Sequence, residues 1–400
     1  GKESTQKSLK DLNKQGITYT KKKYDNMPSL LKALYNDKVD AIVLNEAYRS
    51  NVCDMEDYLN FNNDTRVVHK TVYYTDENSS SLAVSDITSK PFNILISGND
   101  SFGSLDENSR SDVDMLVTIN PVTSTILLTS IPRDAFVNEV CDDYACNYSV
   151  QDKLTHTGIY GVDTTKDTIE NLLDIDINYV YRVNFTSMIN IVDALGGVDV
   201  TVDKGMAVSK FYTNSTLEGV HEGKNHLDGK RALAYSRERK AYLDGDVQRA
   251  RNQQQVLQAM FKKATSPDII KNYTSLLNAL IDAFDTNMTT SEITSFIKYQ
   301  IQARPSWKFE QFVLKGDSAL RVSPEIGSEV SVVLLYDSYI YTAHEKIQAV
   351  LDGKSSNTVE ADEDVPAGTL SEEEIEAQIQ YGIMTEPPVD EEGSDIYYGN

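Results

Sequence analysis

Phe92-Asn-Ile-Leu-Ile-Ser97, Met115-Leu-Val-Thr-Ile119 and Thr125-Ile-Leu-Leu-Thr129 are three short apolar runs, each bounded by polar or turn-forming residues. Runs of this length rich in Ile, Leu and Val read as buried strands. Helical spacing follows over 164–173, then a strand over 177–183 and an amphipathic helix over 185–195 that Gly196-Gly197 stops. Residues 198–202 alternate apolar and polar as a strand does. A long helix is predicted over 246–264, with more helical pattern over 269–302. Two late strands, over 307–314 and 330–336, precede a last helix over 337–351. Strands mixed with helices throughout predict a layered α/β domain over residues 89–354.

On either side the pattern changes. Residues 1–88 form a separate, smaller unit, with helical spacing in Ser29-Leu-Leu-Lys-Ala-Leu-Tyr35, a buried strand predicted in Val39-Asp-Ala-Ile-Val-Leu44 and an alternating strand over 65–74. Asn78-Ser-Ser-Ser81 and Thr88-Ser-Lys-Pro91 punctuate the junction. Residues 355–400 hold thirteen Asp and Glu, no Lys or Arg and few large apolar residues, so they read as a disordered acidic tail. That tail supplies more than half of the formal net charge of -23, and so acidic a chain is a poor partner for nucleic acid. At 40% apolar and 25% charged the composition is that of a soluble globular protein, and no run is long and apolar enough to span a bilayer or to read as a leader.

Polar residues collect at the strand ends, where α/β sheets place their sites. The first strand runs into Gly98-Asn-Asp100, the second is preceded by Arg110-Ser-Asp112, and the third ends in Ser130-Ile-Pro-Arg-Asp134. Later come Arg237-Glu-Arg239, whose two arginines point one way if the segment is extended, and Gly245-Asp246, with Asp246 as a plausible helix N-cap. Arg249 and Gln253, four apart, share a face of the helix that follows. Arginine forks bind phosphate oxygens in pairs, and Asp pairs hold Mg²⁺ that bridges to a pyrophosphate. Taken singly, each of these is as readily a surface salt bridge; arginine concentrated in an acidic chain favours an anionic phosphoryl ligand. Cys141-Asp-Asp-Tyr-Ala-Cys146 permits either a small-loop disulfide or two free thiols, with Cys53 apart.

The segments Gly98-x-Asp100, Arg110-Ser-Asp112, Ser130-Ile-Pro-Arg-Asp134, Lys153-Leu-Thr-His-x-Gly-Ile-Tyr-Gly161, Arg237-Glu-Arg239 and Gly245-Asp-x-x-Arg-x-Arg-Asn-Gln253 occur in an order that resembles the LytR-CpsA-Psr family. Val183-Asn-Phe185, Gly196-Gly-Val-Asp-Val200 and His226-Leu-Asp-Gly229 fit the same pattern, and the resemblance runs from about Pro91 to Gly353. It implies a three-layer α/β/α sandwich enclosing an apolar tunnel for a polyprenyl chain, which the 185–195 helix and Val256-Leu-Gln-Ala-Met-Phe261 would line unless they are plain core. It implies Asp100 and Asp112 as Mg²⁺ ligands and Arg110, Arg133, Arg237, Arg239, Arg249 and Gln253 as a pyrophosphate clamp. Arg110, Arg133 and Asp246 are the implied catalytic residues, Asp246 standing beside the clamp.

The implied activity is a phosphotransferase that moves a glycosyl phosphate polymer from undecaprenyl pyrophosphate to the 6-hydroxyl of N-acetylmuramic acid in peptidoglycan. The polymer could be capsule, teichoic acid or another wall glycan. The first unit resembles, by pattern alone, the accessory α/β domain of streptococcal capsule-type members, which carry transmembrane helices upstream that this chain does not contain. The implied location is the extracellular face of the plasma membrane, which favours the Cys141–Cys146 disulfide over free thiols. A pyrophosphatase using water as acceptor is the rival enzyme. A transcriptional or cell-envelope regulator is the rival of another class, and the charge and the lack of a basic recognition helix speak against it.

Overall fold

The computed structural model describes residues 2–24, 26–44, 49–53, 55–71, 86–99, 108–141, 146, 150–266 and 284–361. Its described N-terminal residues carry four helices: α1 (Lys2–Lys14), α2 (Met27–Tyr35), α3 (Arg49–Cys53) and α4 (Phe61–Asp64). Asn26 caps α2 by accepting from Ser29 N, and Leu31, Val52 and Phe61 form a small core there. The strand expected over 39–44 does not form, nor does the part of the 65–74 strand that is described. A strand needs a neighbour to satisfy its N–H and C=O groups, and neither segment pairs with another among the described residues. The α/β expectation for this unit therefore gives way to helices over the residues described.

The main domain begins with β1 (Phe92–Asn99), β2 (Ser111–Asn120) and β3 (Thr125–Ile131), then the short ribbon β4 (Phe136–Asn138) and β5 (Gln151–Lys153). Next come α5 (Leu154–Thr157), α6 (Val162–Leu173), β6 (Tyr179–Val183), α7 (Phe185–Ala194) and β7 (Val198–Val202). After them lie β8 (Val208–Phe211), β9 (Asn214–Val220), β10 (Gly223–Leu227), α8 (Gly229–Arg237) and α9 (Gly245–Ala264). The chain closes with β11 (Asp285–Thr286), α10 (Thr290–Ala303), β12 (Lys308–Val313), β13 (Gly316–Ser323), β14 (Ser328–Leu335) and α11 (Asp337–Leu351).

Six strands make one mixed sheet in the order β11-β6-β1-β2-β3-β12. The β1–β2 and β2–β3 pairs are antiparallel, whereas β1–β6 and β3–β12 are parallel. Because side chains alternate across a strand, one face carries Leu95, Leu116 and Leu127 against α6 and α11, through Ile169, Leu173, Ala343 and Ile347. The other carries Phe92, Met115, Val117, Ile126 and Leu128, and meets α9 and α10 through Leu257, Phe261 and Phe296. This is the three-layer α/β/α sandwich. A third cluster joins β7, β8, α7, α8 and α9 around Val198, Phe211 and Tyr235.

Ser355 to Ala361, assigned by composition to the tail, instead close the edge of this domain. Buried Lys346 donates to Ser356 O (3.0 Å) and Val359 O (2.9 Å), and Glu310 accepts from Ser356 N (2.6 Å). Anchoring of this kind uses backbone groups, a lysine of the preceding helix and a glutamate of β12, which local acidity does not reveal.

Candidate active site

The antiparallel pairing of β1 with β2 and of β2 with β3 brings three strand ends to one end of the sheet. Arg110 and Asp112 flank the start of β2, and Arg133 and Asp134 follow β3. Arg133 Nη1 donates to Asp112 Oδ1 at 2.7 Å, and Arg110 Nη2 lies 3.8 Å from Asp112 Oδ2. Asp112 keeps 10% of its side-chain exposure and Arg133 19%, so this is a largely buried pair. The Asp112 charge holds the Arg133 guanidinium above its ordinary pKa, against the opposing effect of burial. Burial would raise the Asp134 carboxyl, but Arg133 and Lys153 together hold it below the usual range. Lys153 Nζ forms a short salt bridge to Asp134 Oδ1.

Two residues along β2 lies Asp114, buried and pushed up to about 8 by its loss of solvent; Ser111 opposes that shift by donating to it at 2.6 Å and the Asp112 charge adds to it. Ser97 continues the chain by contacting Ser111 at 2.8 Å.

The second half comes from the α8–α9 junction. Arg237 is the last residue of α8, and Glu238 is extended and fully buried, accepting from Tyr212 N (2.6 Å) and Ala241 N (3.2 Å). Glu238 is turned inward while Arg237 is exposed and Arg239 half-buried, and the segment is extended at Glu238 although Arg237 still belongs to the helix. The Arg237 guanidinium stacks 4.3 Å over the Phe185 ring. A Cβ on Gly245 would run into the backbone oxygen of Arg239, so only glycine lets α9 start against that strand-like segment.

The cap of α9 is Asp244, which accepts from Val247 N, and not Asp246 as the sequence suggested. Asp246 sits instead in the first helical turn, where a carboxylate complements the helix dipole. From there its Oδ1 lies 3.7 Å from Arg239 Nη1 and 3.2 Å from Arg249 Nη2. Gln253 is one turn beyond Arg249 and half-buried.

Arg249 joins the two halves. Its side chain is 15% exposed, and burial pulls its pKa below the ordinary value. Asp246 resists that fall, the nearby charges of Arg133 and Arg239 add to it, and Asp134 opposes it. Largely buried Arg249 is thus repelled by the guanidiniums of Arg133 and of the more exposed Arg239, which come from two other chain segments. An anion with several oxygens relieves that repulsion and can engage more than one fork at once.

Of the residues expected from sequence, Arg110, Asp112, Arg133, Arg239, Asp246 and Arg249 are brought into one constellation. Asp100 lies outside the described residues. Cys141 and Cys146 are joined by a disulfide with Cα atoms 6.2 Å apart, and Cys53 takes no part in it. Lys153 and Thr155 were missed as site residues: Thr155 Oγ1 donates to Asp112 Oδ1 at 3.0 Å. Their motif was visible, but nothing in its spacing says that it folds back onto β2 and β3. Behind the site, Ile94, Ile96, Tyr181, Leu257, Phe261, Trp307 and Phe309 are only partly buried between the sheet and the α9–α10 layer.

A profile of the LytR_cpsA_psr family matches residues 57–329. A polyisoprenyl-teichoic acid–peptidoglycan teichoic acid transferase of Bacillus cereus is 35% identical over 239 residues, covering 59% of this chain and 73% of that protein. One of Bacillus subtilis is 32% identical over 240 residues, covering 59% and 72%. A solved protein of Streptococcus agalactiae superposes with a TM-score of 0.57 at 25% identity, covering 74% of this chain and 96% of that one.

Proposed function

This chain belongs to the LytR_cpsA_psr family, and from that membership we propose that it transfers a glycopolymer from a polyisoprenyl-linked carrier to peptidoglycan. The observation that carries this reading is the gathering of Arg133, Arg239 and Arg249, whose mutual repulsion a pyrophosphate offsets. Arg110, Arg237 and Gln253 complete the clamp around it. The partly buried apolar face behind the site suits the polyprenyl chain of the carrier.

The acceptor is a hydroxyl of N-acetylmuramic acid. Its oxygen bonds to the phosphorus that carries the sugar, the bridging P–O bond of the pyrophosphate breaks, and polyprenyl phosphate leaves. Asp246, exposed beside Arg239 and Arg249, takes the hydroxyl proton. Arg110 and Arg133 stand at the buried end and stabilise the charge that develops on the transferring phosphate.

The donor chemistry at Asp112 fits Mg²⁺. Its contribution is all oxygen, and Oδ2 lies beyond hydrogen-bond length from Arg110 Nη2. Asp112, with Asp100, would hold the ion, which supplies charge neutralisation to the pyrophosphate when bound. We place the protein at the outer face of the plasma membrane, where lipid-linked glycans meet peptidoglycan. The Cys141–Cys146 disulfide supports an oxidising compartment. No described helix is long and apolar enough to cross a membrane, so attachment would come from a segment outside these residues.

The test is incubation with a short-chain lipid pyrophosphate glycan, Mg²⁺ and peptidoglycan fragments, with the products followed by mass spectrometry. The expected product is a glycan joined to muramic acid through a phosphodiester. Release of glycan phosphate into water without any joined product would make the protein a pyrophosphatase instead.

A further inference from the structure

The turn from Lys153 to Gly158 touches each element of the buried half of the site, yet nothing in the transfer scheme uses it. Thr155 is 1% exposed, and its hydroxyl donates to Asp112 Oδ1, the same oxygen that Arg133 Nη1 engages at 2.7 Å. Its backbone N–H donates to Arg133 O at 2.9 Å, so one residue is tied to both partners of that ion pair. Lys153 pairs with Asp134, the carboxylate next to Arg133. At the far end of the turn, a Cβ on Gly158 would come within 2.5 Å of Ser109 O and 2.6 Å of Ser111 N. The turn therefore lies flat on the backbone that presents Arg110 and Asp112.

It is also held from behind. His156 Nδ1 meets Asp152 Oδ1 at 3.0 Å, and both residues are almost fully buried. The second oxygen of Asp152 accepts from Ser323 Oγ (2.8 Å) and Glu325 N (3.0 Å), and Tyr160 OH donates to Glu325. These bonds tie the turn to the β13–β14 connection, a separate part of the fold.

A carboxylate has no proton to give, so the Thr155 hydroxyl is the donor in its bond with Asp112. Two donors on Oδ1 fix the plane of the carboxylate and with it the direction of Oδ2. With the hydroxyl proton removed, Asp112 loses one of the two donors on Oδ1 and can turn toward a two-oxygen grip on Arg133. Resting on the transferase reading above, we propose that Thr155 is a positioning residue that holds Asp112 in its metal-facing orientation, with the Lys153–Gly158 turn as its rigid support.

The test uses Mn²⁺ as the probe, titrated by electron paramagnetic resonance, and a short-chain prenyl pyrophosphate titrated in EDTA. Thr155→Val should weaken Mn²⁺ binding about tenfold or more, as loss of an outer partner of a metal ligand does. Thr155→Ser should stay within about threefold of wild type, because it keeps the hydroxyl. Prenyl pyrophosphate affinity in EDTA should stay within about threefold of wild type in both, since neither variant removes an arginine of the clamp; a general loss of structure would lower it further. Thr155→Ala gives the same comparison should Val not be accommodated.

Asp112→Asn, measured in parallel, separates the two layers of the reading. Weakened Mn²⁺ binding in Asp112→Asn beside wild-type affinity in Thr155→Val overturns the role of Thr155. Equal weakening in the Val and Ser variants overturns it as well. Wild-type Mn²⁺ affinity in Asp112→Asn overturns the metal site on which the proposal stands.

Discussion

Two arginine–aspartate pairs of the same chemistry occupy opposite depths of the site. Arg133 and Asp112 are largely buried, 19% and 10% exposed, 2.7 Å apart, and fixed by Thr155. Arg239 and Asp246 are 42% and 54% exposed, 3.7 Å apart, and Asp246 is shared with Arg249. Screening by water makes an exposed pair worth about 0–1 kcal/mol, whereas breaking a buried pair by removing one partner costs about 3–5 kcal/mol. The inner pair is therefore architecture as well as chemistry. The outer pair is loosely held, so Arg239 can leave Asp246 for a phosphate at little cost. A site that admits a long lipid and then a bulky glycan acceptor gains from one rigid wall and one adjustable wall.

The largest effect should come from breaking the rigid wall. Asp112→Ala leaves Arg133 and Arg110 without their carboxylate and should lower stability toward the lower end of about 3–5 kcal/mol, since the pair keeps some exposure. Transfer should be abolished. Urea denaturation beside the product assay checks both, and an unchanged midpoint would show that the two pairs do not differ in kind.

Gly158→Ala should follow. An added methyl meets backbone at 2.5–2.6 Å and has no flexible side chain to push aside. Overpacking of this sort costs about 1–3 kcal/mol, and transfer should fall with it. Melting curves and turnover that both match wild type would mean the turn is slack.

Arg239→Ala should leave melting unchanged yet weaken prenyl pyrophosphate binding about tenfold or more, as one bond to a charged group is worth about 1.5–3 kcal/mol. Arg239→Lys should recover only part, because an ammonium lacks the paired donors of the fork. Calorimetric titration measures this, and a large loss of stability would place Arg239 with the inner wall.

Asp246→Asn should have the smallest effect on stability, within about 0.5 kcal/mol. It should leave pyrophosphate affinity equal or slightly tighter, since a competing carboxylate charge is gone, while slowing transfer to the acceptor hydroxyl. Unchanged transfer would remove Asp246 as proton acceptor.

Much of this arrangement is legible in one dimension because burial has a period. The unbroken apolar runs of β2 and β3 announce strands covered on both faces, the alternation of β7 a strand covered on one, and α11 spans the 337–351 predicted for it. Residue chemistry is equally local: arginines and aspartates at strand ends suit a phosphate wherever they meet. The exposed ribbon β13–β14 shows little such alternation and was seen only in part, because water covers most of its residues.

What the sequence by itself determined is the class of fold, the position of its main strands and helices, and the set of arginines and aspartates from which the pyrophosphate site is proposed. The tertiary structure decided which of those groups meet. Gly245 sets α9 against Arg239, Gly158 sets the Lys153 turn against β2, and Asp152 is satisfied by a turn some 170 residues away. It also decided that residues 39–44, apolar enough for a strand, stay without one. A hydrophobic period needs only its own segment, whereas a hydrogen bond, an ion pair or a strand ladder needs a partner whose place is set by the packing of the whole chain.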